Sequence, residues 1–265
     1  MTTALSSVLS LFEDGLTVAD LVRHQQVFTL DGQADAASAY DQLTQLGFDQ
    51  APLRDAPIRR FVRRRALTDA RGPVEELSED ILPELRISET MSMLEAFEGL
   101  RDREFLFATH REHVTGLITR SDLGQPSASL LGLGLITATE QALDEIIEKV
   151  YGDRWMDKLS ASRAAKVSEV YAERQRHNAE LSPLRALNLE DRLSLVGSAE
   201  GMPQALGFSS KTAFTSWGGQ LKRIRNCLAH GDGLLGAVPD PEEAMKELSH
   251  IREFALQAAD VVSEG

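Results

Sequence analysis

Between Thr17 and Thr119 the apolar positions switch repeatedly between a two-residue and a 3.6-residue period, so strands and helices alternate. Thr17-Val-Ala-Asp-Leu-Val reads as a short helix, with Thr17 at the N-cap and Asp20 placed for the reciprocal contact. Val27-Phe-Thr-Leu is a strand stopped by Asp31-Gly32. From Asp35 the spacing of Ala36, Ala39, Tyr40, Leu43 and Leu46 predicts a helix that ends at Gly47. Strands follow at Phe48–Leu53 and Ile58–Val62. The same order then returns. A strand at Leu85–Ile87 precedes a helix over Glu89–Leu100, with Met91, Leu94, Phe97 and Leu100 on its inner face. Strands at Phe105–Ala108 and Val114–Thr119 are joined by a polar turn, Thr109–His113. A strand–helix–strand–strand unit therefore occurs twice, the copies about 58 residues apart, and an internal repeat is predicted.

After Asp122 the alternation stops. A Gly-Gln-Pro-Ser linker (Gly124–Ser127) leads into a chain with helical periodicity alone. Helices are predicted over Ala128–Tyr151, Ala161–Asn178, Asn188–Val196, Ser209–His230 and Pro241–Ser263. Gly152-Asp153, Ser182-Pro183, Gly197-Ser198 and Gly231–Pro241 punctuate them. Leu143, Ile146, Ile147 and Val150 form one stripe, and Leu221, Ile224 and Leu228 another. The fold class expected is α+β, with an α/β repeat domain over 1–125 and an all-helical antiparallel bundle over 126–265.

Composition narrows this picture. The 265 residues are 42% hydrophobic, enough for two modest domains. A single cysteine, Cys227, leaves no intramolecular disulfide and suits a reducing compartment; it reads as a core residue. The first residues carry no basic region of a signal peptide, and the longest apolar run, near Leu130–Ala138, is too short to span a bilayer. A cytoplasmic protein with no membrane partner is expected. The net charge of −13 disfavours polyanions globally, but cations cluster locally. Arg54, Arg59, Arg60, Arg63, Arg64, Arg65 and Arg71 face only Asp55 and Asp69 within their stretch, and Lys211, Lys222, Arg223 and Arg225 fall in an acid-free one.

The last strand of the second copy runs into Gly116-Leu-Ile-Thr119-Arg-Ser-Asp122. A strand here delivers Thr119 to a helix start, whose free N–H groups can meet a phosphate, while Asp122 can accept from ribose hydroxyls. The plainer reading is that the two residues cap the helix. With the repeat, this motif resembles a tandem pair of CBS domains (a Bateman module). The resemblance implies αββα units and an adenine nucleotide, or another signalling nucleotide, as regulatory ligand at Thr119 and Asp122. The first copy departs from the motif, with Arg60-Phe-Val-Arg63-Arg-Arg-Ala in its place. Arg60 and Arg63 there can hold extra phosphates or face RNA, or form a solvated basic edge strand.

The stretch Arg225-Asn226-Cys-Leu-Ala-His230-Gly-Asp ends a bundle helix. His230 titrates near neutral pH and can move a proton, Arg225 can fork onto phosphate oxygens, and Asn226 lies one turn before His230 and can orient its ring. Arg225 and His230 diverge by about 140° on an ideal helix, so fraying at Gly231 or a second chain is needed to bring them together. An Arg-Asn-x-x-x-His helix end in an all-α domain resembles the HEPN superfamily. That resemblance implies a metal-independent endoribonuclease with Arg225, Asn226 and His230 as catalytic residues, no required cofactor, an RNA substrate and a homodimeric composite cleft. The alternative is that Arg and His serve as helix-dipole partners and the protein is a non-catalytic dimeric nucleotide sensor or protein-binding module. Glu140, Asp144 and Glu145 can hold Arg225 or be solvated; Phe214 and Trp217 read as core. His24, His110, His113, His177 and His250 are scattered, so no metal site is expected. A nucleotide-gated nuclease would suit stress response or defence.

Overall fold

The computed structural model describes residues 4–23, 26–111, 113–177 and 182–263. His24, Asn178 and the residue at 112 within the predicted polar turn lie outside them. The described chain divides into two compact units, one over residues 17–122 and one made of residues 4–16 with 123–263. The helices are α1 (Ala4–Gly15), α2 (Val18–Val22), α3 (Ala36–Leu46), α4 (Met93–Gly99), α5 (Pro126–Tyr151), α6 (Ala161–Arg176), α7 (Leu189–Ser198), α8 (Met202–Ala205), α9 (Lys211–His230), α10 (Gly233–Ala237) and α11 (Pro241–Ser263). The strands are β1 (Gln50–Pro52), β2 (Arg60–Arg63), β3 (Glu79–Asp80), β4 (Arg86–Ser88), β5 (Phe105–His110) and β6 (His113–Thr119).

Residues 17–122 hold the predicted repeat. In the second half β4 pairs parallel with β5, and β5 antiparallel with β6, around α4. In the first half β1 and β2 are antiparallel after α3, and the segment before α3 makes a single parallel bridge, Leu30 to Leu53. The strand expected at Val27–Leu30 is thus reduced to one bridge. Asp35 caps α3 through the Ala37 amide, and Gly47, in the left-handed region at φ 70°, closes it.

The two halves exchange their leading segments. Thr17 pairs with Ser92, and the amides of Val18 and Ala19 donate to the carbonyls of Met91 and Glu89 at 2.9 and 3.0 Å. So α2, which precedes the first half in sequence, packs on the second. Pro73 pairs with Asp35, and the amides of Val74 and Glu75 donate to Ala34 and Gly32 at 3.0 and 2.9 Å. The Val74–Leu77 turn, which leads into the second half, packs on the first. Val18 and Val74 occupy equivalent positions and neither is exposed.

Each half has its own apolar residues, but a shared seam joins them. Leu30, Leu43, Leu53, Val62 and Leu67 form a core of the first half. Phe61, Ile81, Phe105 and Phe107 form the seam, and the three rings meet edge to face at 5.3–5.4 Å. Phe61 and Val62 are both buried although adjacent in β2. They point to opposite faces of the strand, one to the seam and one to the first core.

The helical unit is organised around α5. This 26-residue helix buries Leu131, Leu135, Leu143 and Ile147 but also Gly132, Gly134, Ala138 and Ala142, on more than one face. It packs against α1, α7, α9, α10 and α11. A β-carbon at Gly134 would run into the Phe12 ring of α1, and one at Gly132 would come 2.9 Å from Leu228 of α9. Small residues on α5 therefore let two neighbours approach closely. The predicted bundle helices are present as α5, α6, α7, α9 and α11. Helix α1 was not expected, and Leu9 and Phe12 seat it on α5.

Candidate functional site

The end of β6 is the first candidate. Asp122 accepts from the Thr119 amide at 2.6 Å and from the Thr119 hydroxyl at 3.2 Å, at the start of a short 3-10 turn, Arg120–Gly124. Thr17 and Asp20 make the same pair of bonds, at 2.9 and 3.3 Å, and Ser92 and Glu95 form an equivalent capping box. The Thr-x-x-Asp pattern at 119–122 thus performs the local capping that two other elements of the unit perform. The helix start expected to face a phosphate is a short 3-10 helix here, Arg120–Gly124. Arg120 is fixed as well, donating to the carbonyls of Leu100 and Arg101 at 3.1 Å each.

The equivalent strand of the first half places Arg60 and Arg63 on β2. Arg63 is stacked on the aromatic seam, its guanidinium carbon 5.0 Å from the Phe105 ring and 5.3 Å from the Phe61 ring. It also donates to Glu79 at 3.1 Å and to Glu104 at 2.6 Å, with its side chain only 18% exposed. Arg60 donates to Asp55 at 3.2 and 3.4 Å. The hydrogen bond and charge of Asp55, with lesser help from Glu75 and Asp80, hold this guanidinium charged beyond its ordinary range. Asp55, Ala56, Pro57, Arg59, Arg60 and Asp80 line a shallow groove with a cis Ala56–Pro57 peptide. Its two carboxylates offset its two arginines. Arg54, Arg59, Arg65 and Arg71 are exposed.

The second candidate is the C-terminal half of α9. Ser210 caps the helix start through the Ala213 amide, and Gly231 at φ 85° ends it, with its amide and that of Asp232 turned back to the carbonyls of Leu228 and Cys227. Phe214, Trp217, Leu221, Ile224 and Leu228 face the bundle. Cys227 is half-buried rather than in the core. Arg225, Asn226 and His230 are all exposed, and no side-chain hydrogen bond or ion pair joins any of them to another described residue. The helix stays regular to His230, so fraying does not bring Arg225 and His230 together within one chain.

The acidic residues of α5 have a different partner from the one considered for them. Asp144 accepts from Arg192 of α7 at 2.7 and 3.1 Å, and Glu140 stands 4.0 Å from the same guanidinium. Arg192 also donates to the carbonyls of Leu187 and Leu184 at 2.6 and 3.3 Å. Next to it, Asp191 accepts from Arg163 of α6 and completes the cap of α7 with Asn188. Glu145 accepts from Gln141. This network was not read from the chain, and it does not involve Arg225.

Among the described residues no group of three or more His, Cys, Asp or Glu side chains is placed to hold a metal ion. His110 pairs with Glu89 at 3.2 Å and stands opposite His113 across the β5–β6 ladder. No helix among the described residues is long and apolar enough to cross a membrane.

Neither a family model nor a curated protein matches the chain. Among solved structures, the chain is similar to a Vibrio cholerae protein provisionally named as an acetoin utilization protein (AcuB), with 19% identity and a TM-score of 0.39. The match covers 44% of this chain and 94% of that one. At this level it bears on neither ligand nor activity.

Proposed function

We propose that the chain is a nucleotide-responsive regulator that acts as a homodimer, in which residues 17–122 are a CBS-type ligand-binding pair and the helical unit passes the signal on. The observation that carries this reading is the reciprocal exchange of leading segments between two halves, each a helix followed by an antiparallel strand pair. It ties the halves into one two-fold body whose equivalent strands, β2 and β6, end in Arg63 and in the Thr119–Asp122 cap. A ribose would be bound by competing for the Asp122 carboxylate, so the cap and the ligand share one acceptor. The balanced charge of the groove beside Arg60 favours a nucleoside monophosphate or an adenine dinucleotide over a highly charged polyphosphate.

The test is thermal unfolding of the whole chain with AMP, ADP, ATP and cyclic dinucleotides. A ligand present at 100 times its dissociation constant stabilises by about 2.7 kcal/mol, a readily visible shift in Tm. Asp122→Ala is expected to lower the unliganded Tm slightly, through loss of a cap, and to abolish the ligand-induced shift. A wild-type chain that none of these nucleotides stabilises would end the reading.

A second reading, a metal-independent endoribonuclease, is favoured by one observation. Arg225, Asn226 and His230 are solvent-facing and unengaged at a well-formed helix end, as residues awaiting a polyanion and a second chain would be. In it His230 moves the 2′-hydroxyl proton and Arg225 stabilises the phosphorane, from two chains facing each other. Incubation with labelled single-stranded RNA in EDTA should then give 2′,3′-cyclic phosphate ends, lost in both His230→Ala and Arg225→Ala. Intact RNA with and without nucleotide leaves the regulator reading alone.

A further inference from the structure

Helices α9 and α11 meet through large side chains, and Oε2 of Glu247 and Nε1 of Trp217 are buried there with no hydrogen-bond partner among the described residues. Glu247 is 9% exposed and Trp217 6%. Trp217 also lies 4.4 Å from the Phe254 ring and 5.6 Å from that of His250, centre to centre, so both residues belong to one seam. A buried acceptor and a buried donor left unmatched in a native seam call for an explanation.

The groups around the carboxyl are few. Gln220 and Arg223 face it from α9, and Glu243 and His250 flank it on α11 itself. Lys246 is directed to Glu242 and Glu243. Helix α5 meets α11 near this level through Gly132, whose added β-carbon would touch Leu248, and carries no ionisable residue from Pro126 to Thr139. Helix α10 has none, and Asp14 of α1 accepts from Ser10. Burial is the largest influence and pushes the Glu247 carboxyl above the ordinary range; Glu243 adds to this, while His250, Arg223 and Gln220 oppose it.

We propose that Glu247 is a proton-operated latch between α11 and α9. Protonated, the carboxyl is neutral and seats in the seam at little cost. Ionised, it carries a poorly solvated charge into the seam, one and two helical turns from the His250 and Phe254 rings that hold Trp217, and the seam loosens. The sign follows from the direction of the shift. A carboxyl raised in the folded state gives stability that is complete below the ordinary glutamate value, about 4.3, and that is lost as pH rises through the folded value. Acid therefore tightens the seam and alkali relaxes it. The relaxed helix is the one that carries Arg225, Asn226 and His230, so the latch would govern the rigidity of that surface whichever activity it has.

The experiment compares the full chain with Glu247→Gln by thermal unfolding, from below the ordinary glutamate value of about 4.3 up to about pH 8. In parallel, Trp217 emission is followed in a Trp155→Phe background. The wild type should lose Tm relative to the Gln variant as pH rises, and its emission should shift over the same range. In a His250→Ala background the Gln variant should hold its emission constant, and it should be the more stable at pH 8. His250→Ala removes the ring that lies against Trp217, and the difference between the Glu247 and Glu247→Gln chains must persist in that background. Parallel Tm profiles for wild type and Glu247→Gln, or a wild-type Trp217 emission that does not change with pH, overturn the proposal. The emission measurement decides the matter even if the Gln variant fails to fold.

Discussion

Arg192→Met is expected to cost the helical unit about 3–5 kcal/mol, because it leaves the Asp144 carboxylate buried without its partner. The Arg192 side chain is 6% exposed and that of Asp144 12%, so water can replace little of what is removed. The same substitution strips the carbonyls of Leu184 and Leu187 of a donor, and those carbonyls belong to the turn that leads into α7. Losses on both sides of one guanidinium place the effect at the upper end of the range. The measurement is urea unfolding of the full chain, read as a change in midpoint at unchanged slope. Asp144→Leu combined with Arg192→Met should recover much of the loss, since an apolar pair of similar volume replaces the buried ions. A single variant within about 1 kcal/mol of wild type, inside the range of an exposed ion pair, would show that the pair is solvated.

Phe61→Ala should have an effect of comparable size in the other unit, about 3–5 kcal/mol for a fully buried aromatic in a packed core. Its ring touches Phe105 and Phe107 of the opposite half and lies under the Arg63 guanidinium. Removing it opens a cavity between the halves and takes away one of the two aromatic faces on which Arg63 rests. The Arg63 ion pairs with Glu79 and Glu104 should weaken in consequence, because the stem that aims them has lost its platform. Unfolding of the whole chain followed by circular dichroism gives the energy. Phe61→Leu, which keeps most of the volume, should cost less than half as much. Equal effects of Leu and Ala would mean that ring geometry rather than filled volume sets the stability.

The helices could be read from the chain because their apolar stripes and caps are local. Asp35, Asn188, Ser210 and Gly47 each mark an end with a residue whose side chain or backbone freedom the end requires. The repeat was legible for the same reason. What stayed hidden depends on partners far away in sequence. Leu5, Val8, Leu9 and Phe12 do stand at helical spacing, so α1 was legible and was missed; its seat, where Gly134 leaves room for the Phe12 ring, was not. Val27–Leu30 has the composition of a strand, yet only Leu30 finds a ladder. The Val74–Leu77 turn is too short for periodicity to detect, and its role appears only beside Ala34 and Gly32.

The same limit applies to the candidate sites. The spacing of Arg225 and His230 was enough to say that one helix does not join them, and α9 keeps them apart. Arg63 looked like a ligand for phosphate because the acids that claim it, Glu79 and Glu104, lie in other segments. Arg192 did carry a signal. It falls on the apolar stripe of Leu189, Leu193 and Val196, and a cation in such a stripe asks for a buried acid on the facing helix.

The exchange of leading segments also sets an order on biosynthesis. Helix α2 leaves the ribosome early, but the carbonyls that receive its amides belong to Glu89 and Met91. Until some seventy further residues have emerged, Val18, Leu21 and Val22 have no surface to cover them. The first half meanwhile waits for Val74 to close its own edge. The first half can therefore close its edge once Val74 has emerged, whereas α2 stays uncovered until the second half is made, so the two copies mature at different times. A pause in translation between the copies would leave a sticky intermediate in the hands of chaperones.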